Sequence, residues 1–133
     1  MSYIQPSQVG ETPFQSILGH CPKVGTKWNE LADELTNEAT LSAVLKEEVR
    51  RVLAYGNKCR YCMAKGAPTK NGKEEDIQLA TAFAELFLTD RSSIREAHFT
   101  ILRTVFSEEQ IVELCAFICF TTASQLFGAM VDL

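Results

Sequence analysis

Downstream of a Ser107/Gln110 capping box, the stretch from Ile111 to Phe120 carries one charge, Glu113. This spells a helix over about 108–130 that is apolar nearly all round. Such a helix has to be enclosed on several sides, by its own domain or by a neighbouring subunit. In a chain of 133 residues the second source of cover is substantial, and a homo-oligomer is expected on this ground. The stretch 114–133 also invites a membrane reading, since a span needs about 20 predominantly apolar residues. Thr121, Thr122, Ser124, Gln125 and Asp132 interrupt it, however, and no basic residues flank it. A buried core helix is the better account, and no membrane partner is expected.

The remaining punctuation suits further helices. Residues 13–20 read as a short helix stopped by Pro22, and Trp28, Leu31, Ala32 and Leu35 repeat at helical spacing within 24–36. Ser42 caps a helix over 42–56 that Gly56-Asn57 ends. A short helix is expected from Cys59 to Ala67, where Pro68 disfavours helix in the preceding residue. Asn71-Gly72 marks a turn, with Asn71 and Glu74 as a cap pair for a helix over 73–88. Ser93 and Glu96 form an S-x-x-E box for a helix to about 105. No period-2 run of strand length appears. The fold class is all-α, a compact helical array of about six to seven helices in one domain over 1–133.

Composition excludes several partners. A net charge of -4 and a pI near 5.2 leave no basic footprint for nucleic acid. The opening MSYIQPSQVGETPF has neither a basic n-region nor an apolar h-region, so no secretory signal is read and a cytoplasmic location is expected. An odd number of cysteines, five, in that setting argues against a structural disulfide framework. Each cysteine therefore needs its own account.

Cys59 and Cys62 form a C-x-x-C pair, close enough on a helical turn to approach disulfide geometry. The preceding Gly56-Asn57 break sets the pair at a helix opening, where free N–H groups favour a thiolate. Lys58, Arg60 and Lys65 add positive charge. Both effects lower a thiol pKa from about 8.5 into roughly the 3.5–7.5 range. The thiolate is the nucleophile, so the arrangement suits disulfide exchange or attack on a peroxide. Zinc held jointly with Cys115 and Cys119 is a weaker reading, because structural zinc cysteines favour turns over an apolar run such as LCAFICF. Inert thiols are a further alternative. Cys115 and Cys119 read as small buried hydrophobes, Cys21 has no assigned role, and His20 and His98 read as ordinary polar positions.

The run from Leu45 to Cys62 resembles the carboxymuconolactone decarboxylase / alkylhydroperoxidase D-like family. That family's signature is a glutamate, eleven intervening residues and C-x-x-C, usually with asparagine two before the first cysteine; Glu47, Asn57, Cys59 and Cys62 match. The run from Phe106 to Leu114 is similar to the opening of the family's last helix, and the likeness covers about residues 14–133. The resemblance implies an all-helical subunit assembled into homo-trimers or homo-hexamers. It also implies a dithiol hydroperoxidase or disulfide reductase that needs no flavin, heme or metal and is recycled by an external thiol. Glu47 then takes the proton-relay position and Cys59 and Cys62 the redox pair. Cys62 is read as attacking the peroxide and Cys59 as resolving the sulfenate, with the reverse assignment open. One departure stands out: the redox branch usually has histidine four residues after the second cysteine, and here that residue is Gly66. Lys65, Tyr61 or water are the available substitutes.

Helical projection complicates the glutamate. Glu48 falls among Val44, Leu45, Val49 and Val52, whereas Glu47 lies toward Arg50 and Arg51, the position of a surface ion pair. Burial raises a carboxyl's proton affinity, as a general base requires. Family spacing selects Glu47 and amphipathicity selects Glu48; we take Glu47. Two rival functions remain: decarboxylation or isomerisation of a small acidic lactone, with Arg50, Arg51 and Lys65 as an anion clamp, and a non-enzymatic redox sensor.

Overall fold

The computed structural model describes residues 1–69 and 74–133. Among these residues the regular elements are all helical: α1 (Pro13–Leu18), α2 (Pro22–Thr36), α3 (Ala43–Gly56), α4 (Arg60–Met63), α5 (Glu75–Asp90), α6 (Glu96–Leu102) and α7 (Glu108–Met130). A 3₁₀ turn, Arg91–Ser93, links α5 to the approach of α6. The expected all-α array of about six to seven helices is what the described residues form.

Local chemistry sets most of the boundaries. The Ser42 hydroxyl accepts the Leu45 N–H at 3.1 Å, and Ser107 and Gln110 satisfy each other's backbone donors at 2.9 and 3.2 Å. Pro22 does more than follow the first helix. It occupies the first turn of α2, where a missing N–H has no intrahelical partner to lose.

Three expectations change. Ser93 does not cap α6: its hydroxyl donates to the Asp90 carbonyl at 2.8 Å, while the His98 ring nitrogen Nδ1 accepts the Arg95 N–H at 3.1 Å. That helix ends at Leu102. The helix after Cys59 lasts one turn instead of reaching Ala67, because the chain leaves it at Met63 and passes through Gly66 at a φ of +138°. The Asn71-Gly72 turn, and with it the Asn71 half of the cap pair, lies outside the described residues.

Helix α3 is the hub. Its Leu45, Val49, Val52 and Leu53 pack against Ile77, Ala80, Phe83 and Ala84 of α5 and Ile111, Leu114, Phe117 and Ile118 of α7. Burying a leucine or phenylalanine of this kind is worth about 1.5–3 kcal/mol. The lone charge of the apolar run also finds its use here. Glu113 receives the Leu41 and Thr40 N–H groups at 2.9 and 3.3 Å and pairs with Lys46 at 3.2 Å. Lys46 is 2% exposed and donates in addition to the Asn37 carbonyl at 2.7 Å. This buried pair ties the α2–α3 connection to α7.

By length and composition α7 would suit a membrane span, yet it docks on α2, α3 and α4. Its own domain covers one flank only. Val112, Leu126 and Met130 stay exposed on the other, and so does Cys119, which contradicts its reading as core.

Candidate redox site

The turn between α3 and α4 is built to hold Cys59 outside the helix. Asn57 ends α3 and its side-chain amide donates to the Gln125 Oε1 at 2.9 Å, while Gln125 Nε2 donates to the Arg50 carbonyl at 3.3 Å. Gln125 is 2% exposed, so α7 anchors the turn through a buried amide. Lys58 then takes a φ of +55°, a conformation that costs a non-glycine residue about 1–2 kcal/mol. Cys59 follows as the N-cap of α4, and its Sγ accepts the Cys62 N–H at 3.3 Å.

Cys59 and Cys62 are joined by a disulfide, with their Cα atoms 5.2 Å apart. The two sulfurs are not equivalent. Cys59 is 1% exposed and lies against Gly128 of α7, where an added Cβ would stand 3.2 Å from its Sγ. A side chain at this position would press on the sulfur. Cys62 instead lines a cleft of about 540 Å³ between α2, α3, α4 and α7, with α1 at one side. Cys62 is itself buried, at 9% exposure, and is the one of the two that borders the cleft.

Glu47, Arg50, Tyr61 and Lys65 line the same cleft. The Arg50 guanidinium donates to both Glu47 carboxylate oxygens, at 2.6 to 3.1 Å, and to the Cys62 carbonyl at 3.0 Å. Arg51 adds a contact to Glu47 at 3.2 Å. Partial burial raises the Glu47 pKa, but the hydrogen bonds and charges of Arg50 and Arg51 outweigh it and hold the carboxyl below its usual range. Lys65 is pulled down by burial and by the charge of Arg50, against the attraction of Glu47. Its ammonium stands 4.7 Å from the centre of the Tyr61 ring.

Glu48 goes elsewhere. It is buried, as projection expects, and accepts the Thr69 hydroxyl and N–H at 2.7 and 3.2 Å, fastening the segment that follows α4. At position 66, where the resembled family usually has histidine, a side chain is not readily accommodated. The Arg51 guanidinium stands 3.1 Å from where a Gly66 Cβ would be, and the φ of Gly66 disfavours any side chain. Of the three cations expected around the pair, Arg60 is drawn off by an ion pair with Asp132 and Lys58 is exposed, which leaves Lys65. Arg50, read from sequence as an ion-pair neighbour of Glu47 and as part of an anion clamp, pairs with Glu47 and is also the guanidinium that touches the cysteine turn.

The aromatic wall is the part the sequence reading missed. Trp28 stacks near Phe120 and Phe127, with centroids 5.3 and 6.0 Å apart, and donates to the Ser124 hydroxyl at 3.2 Å. The polar residues spaced along α7 were its visible signal. His20 and His98 serve local backbone contacts, to the Gln5 carbonyl and the Arg95 N–H. Cys115 is half-buried, and burial followed by the neighbouring Cys119 pushes its thiol pKa up. Among the described residues no three metal-ligating side chains converge, so the four-cysteine zinc arrangement does not assemble.

No family model matches the chain, and no curated protein does. Among solved structures it is similar to an uncharacterized peroxidase-related protein from Silicibacter sp. TM1040, at a TM-score of 0.74 and 17% identity, over 84% of this chain and 70% of that one. At that identity the likeness speaks for the fold, and with the Cys59–Cys62 disulfide it is compatible with a redox function. The chain shares the all-helical fold of that peroxidase-related protein, as the expected all-α class requires.

Proposed function

We propose that the protein is a thiol-dependent hydroperoxidase, acting on hydroperoxides or disulfides through Cys59 and Cys62. The observation that carries this reading is the asymmetry of the bonded pair: both cysteines are buried, but Cys62, 9% exposed, is among the residues lining the cleft and Cys59, 1% exposed, is not. In the reduced protein the Cys62 thiolate attacks a peroxide oxygen. An S–O bond forms as the O–O bond breaks, and the alkoxide leaves and takes a proton as alcohol. The Cys59 thiolate then attacks the Cys62 sulfenic sulfur; hydroxide leaves and takes a proton as water, and the disulfide closes. Two thiols are oxidised and the peroxide is reduced by two electrons. An external dithiol returns two electrons and two protons by exchange, entering at Cys62.

Positive charge from Lys65 and Arg50 favours the Cys62 thiolate, and Glu47 is the relay carboxylate. Because its proton affinity is held low, Glu47 passes a proton to solvent instead of keeping it. We place the reaction in the reducing cytoplasm and in a homo-oligomer, a homo-trimer or homo-hexamer, in which a neighbouring subunit covers Val112, Leu126 and Met130 of α7. The test is peroxide consumption driven by dithiothreitol or dihydrolipoamide. Cys59→Ser and Cys62→Ser are each expected to abolish turnover; unaltered rates in both variants would rule out the mechanism.

A further inference from the structure

Three cations line the cleft, and two of them are already engaged. Lys46 is bound by Glu113 and the Asn37 carbonyl, and Arg50 by Glu47 and the Cys62 carbonyl. Lys65 makes no ion pair among the described residues and rests beside the Tyr61 ring. Phe14, Trp28, Leu35, Phe117 and Phe120 also line the cleft and make part of its lining apolar and largely aromatic. Its volume of about 540 Å³ falls in the range of sites for organic ligands, about 300–1,000 Å³. Hydrogen peroxide is scarcely larger than water, which occupies about 30 Å³. A site meant for it alone would need neither this room nor aromatic walls.

We propose that the cleft binds an organic molecule with an apolar body and a carboxylate head, with Lys65 holding the carboxylate and the aromatic wall holding the body. That this molecule is a hydroperoxide rests on the thiol chemistry proposed above; the binding claim does not. Burial and the nearby Arg50 disfavour the Lys65 charge by more than Glu47 favours it, and an arriving anion adds to the favourable side. Bound in this cleft, the acid shares its lining with Cys62.

Trp28 is the sole tryptophan of the chain and part of the wall, so its emission reports occupancy without any turnover. The oxidised protein is titrated with 4-phenylbutyrate and with the neutral 4-phenylbutyramide. The acid is expected to bind about tenfold more tightly, the size of one charge-assisted contact. Lys65→Gln is expected to abolish the difference while leaving the amide's affinity unchanged, and Lys65→Arg to keep it. Equal affinities in the wild type, or no change in Trp28 emission with either compound, overturn the proposal. A parallel assay of peroxide consumption separates the two claims. Acid preference without peroxide turnover sinks the redox reading alone, and turnover without acid preference sinks this inference alone.

Discussion

Cys59 and Cys62 are three residues apart and bonded, whereas Cys115 and Cys119 are four apart and free. The difference lies in the backbone between them. Cys115 and Cys119 sit inside the unbroken α7, where side chains one turn apart hold their Cβ atoms about 5–6 Å apart. A disulfide needs about 3.5–4.5 Å. Cys59 precedes its helix, at φ -88° and ψ 102°, and so its sulfur is free to turn back onto Cys62. An interrupted helix, more than a spacing, lets two cysteines pair. The electrostatic setting follows the same division: Lys65 and Arg50 accompany Cys62, while Cys115 has burial and another thiol for company.

The largest expected effect separates the pairs outright. Cys62→Ser is expected to reduce dithiol-dependent peroxide turnover to background, and the double variant Cys115→Ser/Cys119→Ser to leave it within about twofold, since only a thiolate at the cleft is the nucleophile. Comparable losses in the two variants would contradict the contrast drawn between them.

Next in size is a change close to the second pair that touches stability instead of chemistry. Glu113→Ala leaves the buried Lys46 without its partner and is expected to cost about 3–5 kcal/mol in urea unfolding. The pH dependence follows from the same carboxyl. Burial raises the Glu113 pKa, but the Leu41 and Thr40 N–H groups and Lys46 outweigh it, so the folded value lies below the ordinary 4.5. The stability it contributes is therefore present above that ordinary value and is lost as pH falls through the lower folded one. Glu113→Gln should flatten unfolding free energy against pH below about 4.5; an unchanged slope would show that the carboxyl is not held as described.

The smallest effect concerns the relay. Glu47→Gln is expected to slow turnover by about a hundredfold, the lower end for a proton-transfer group, because its proton affinity is already depressed. Stability should change by less than about 1 kcal/mol, since the Glu47–Arg50 pair is partly exposed. A rate within twofold of the wild type would leave Glu47 only a part in orienting Arg50.

Much of this was legible in the chain, for definable reasons. Ser42 and the Ser107/Gln110 box announce their helices because capping is local chemistry. The glutamate-to-cysteine spacing marked the face of α3 that meets Cys62. Glu48 was correctly read as buried, but projection cannot say what a buried carboxylate bonds to, and its partner Thr69 follows a turn whose course the sequence does not reveal. The drawing away of Arg60 by Asp132 depends on the far end of α7 returning to α4, a tertiary event. Gln125 was noticed only as an interruption of an apolar run. Its meaning, a buried amide that steadies the cysteine turn, appears once Asn57 lies beside it.

The central claim is that Cys62 is the sulfur that meets the oxidant and Cys59 the one that resolves it. Mass spectrometry with differential alkylation, on fully reduced protein before and after one equivalent of peroxide, tests it most directly. The account predicts a 59–62 disulfide with Cys21, Cys115 and Cys119 still open to alkylation, and a dimedone adduct on Cys62 in the Cys59→Ser variant. Oxidation that begins at Cys59, or that falls on Cys115 or Cys119 while the first pair stays reduced, would contradict it.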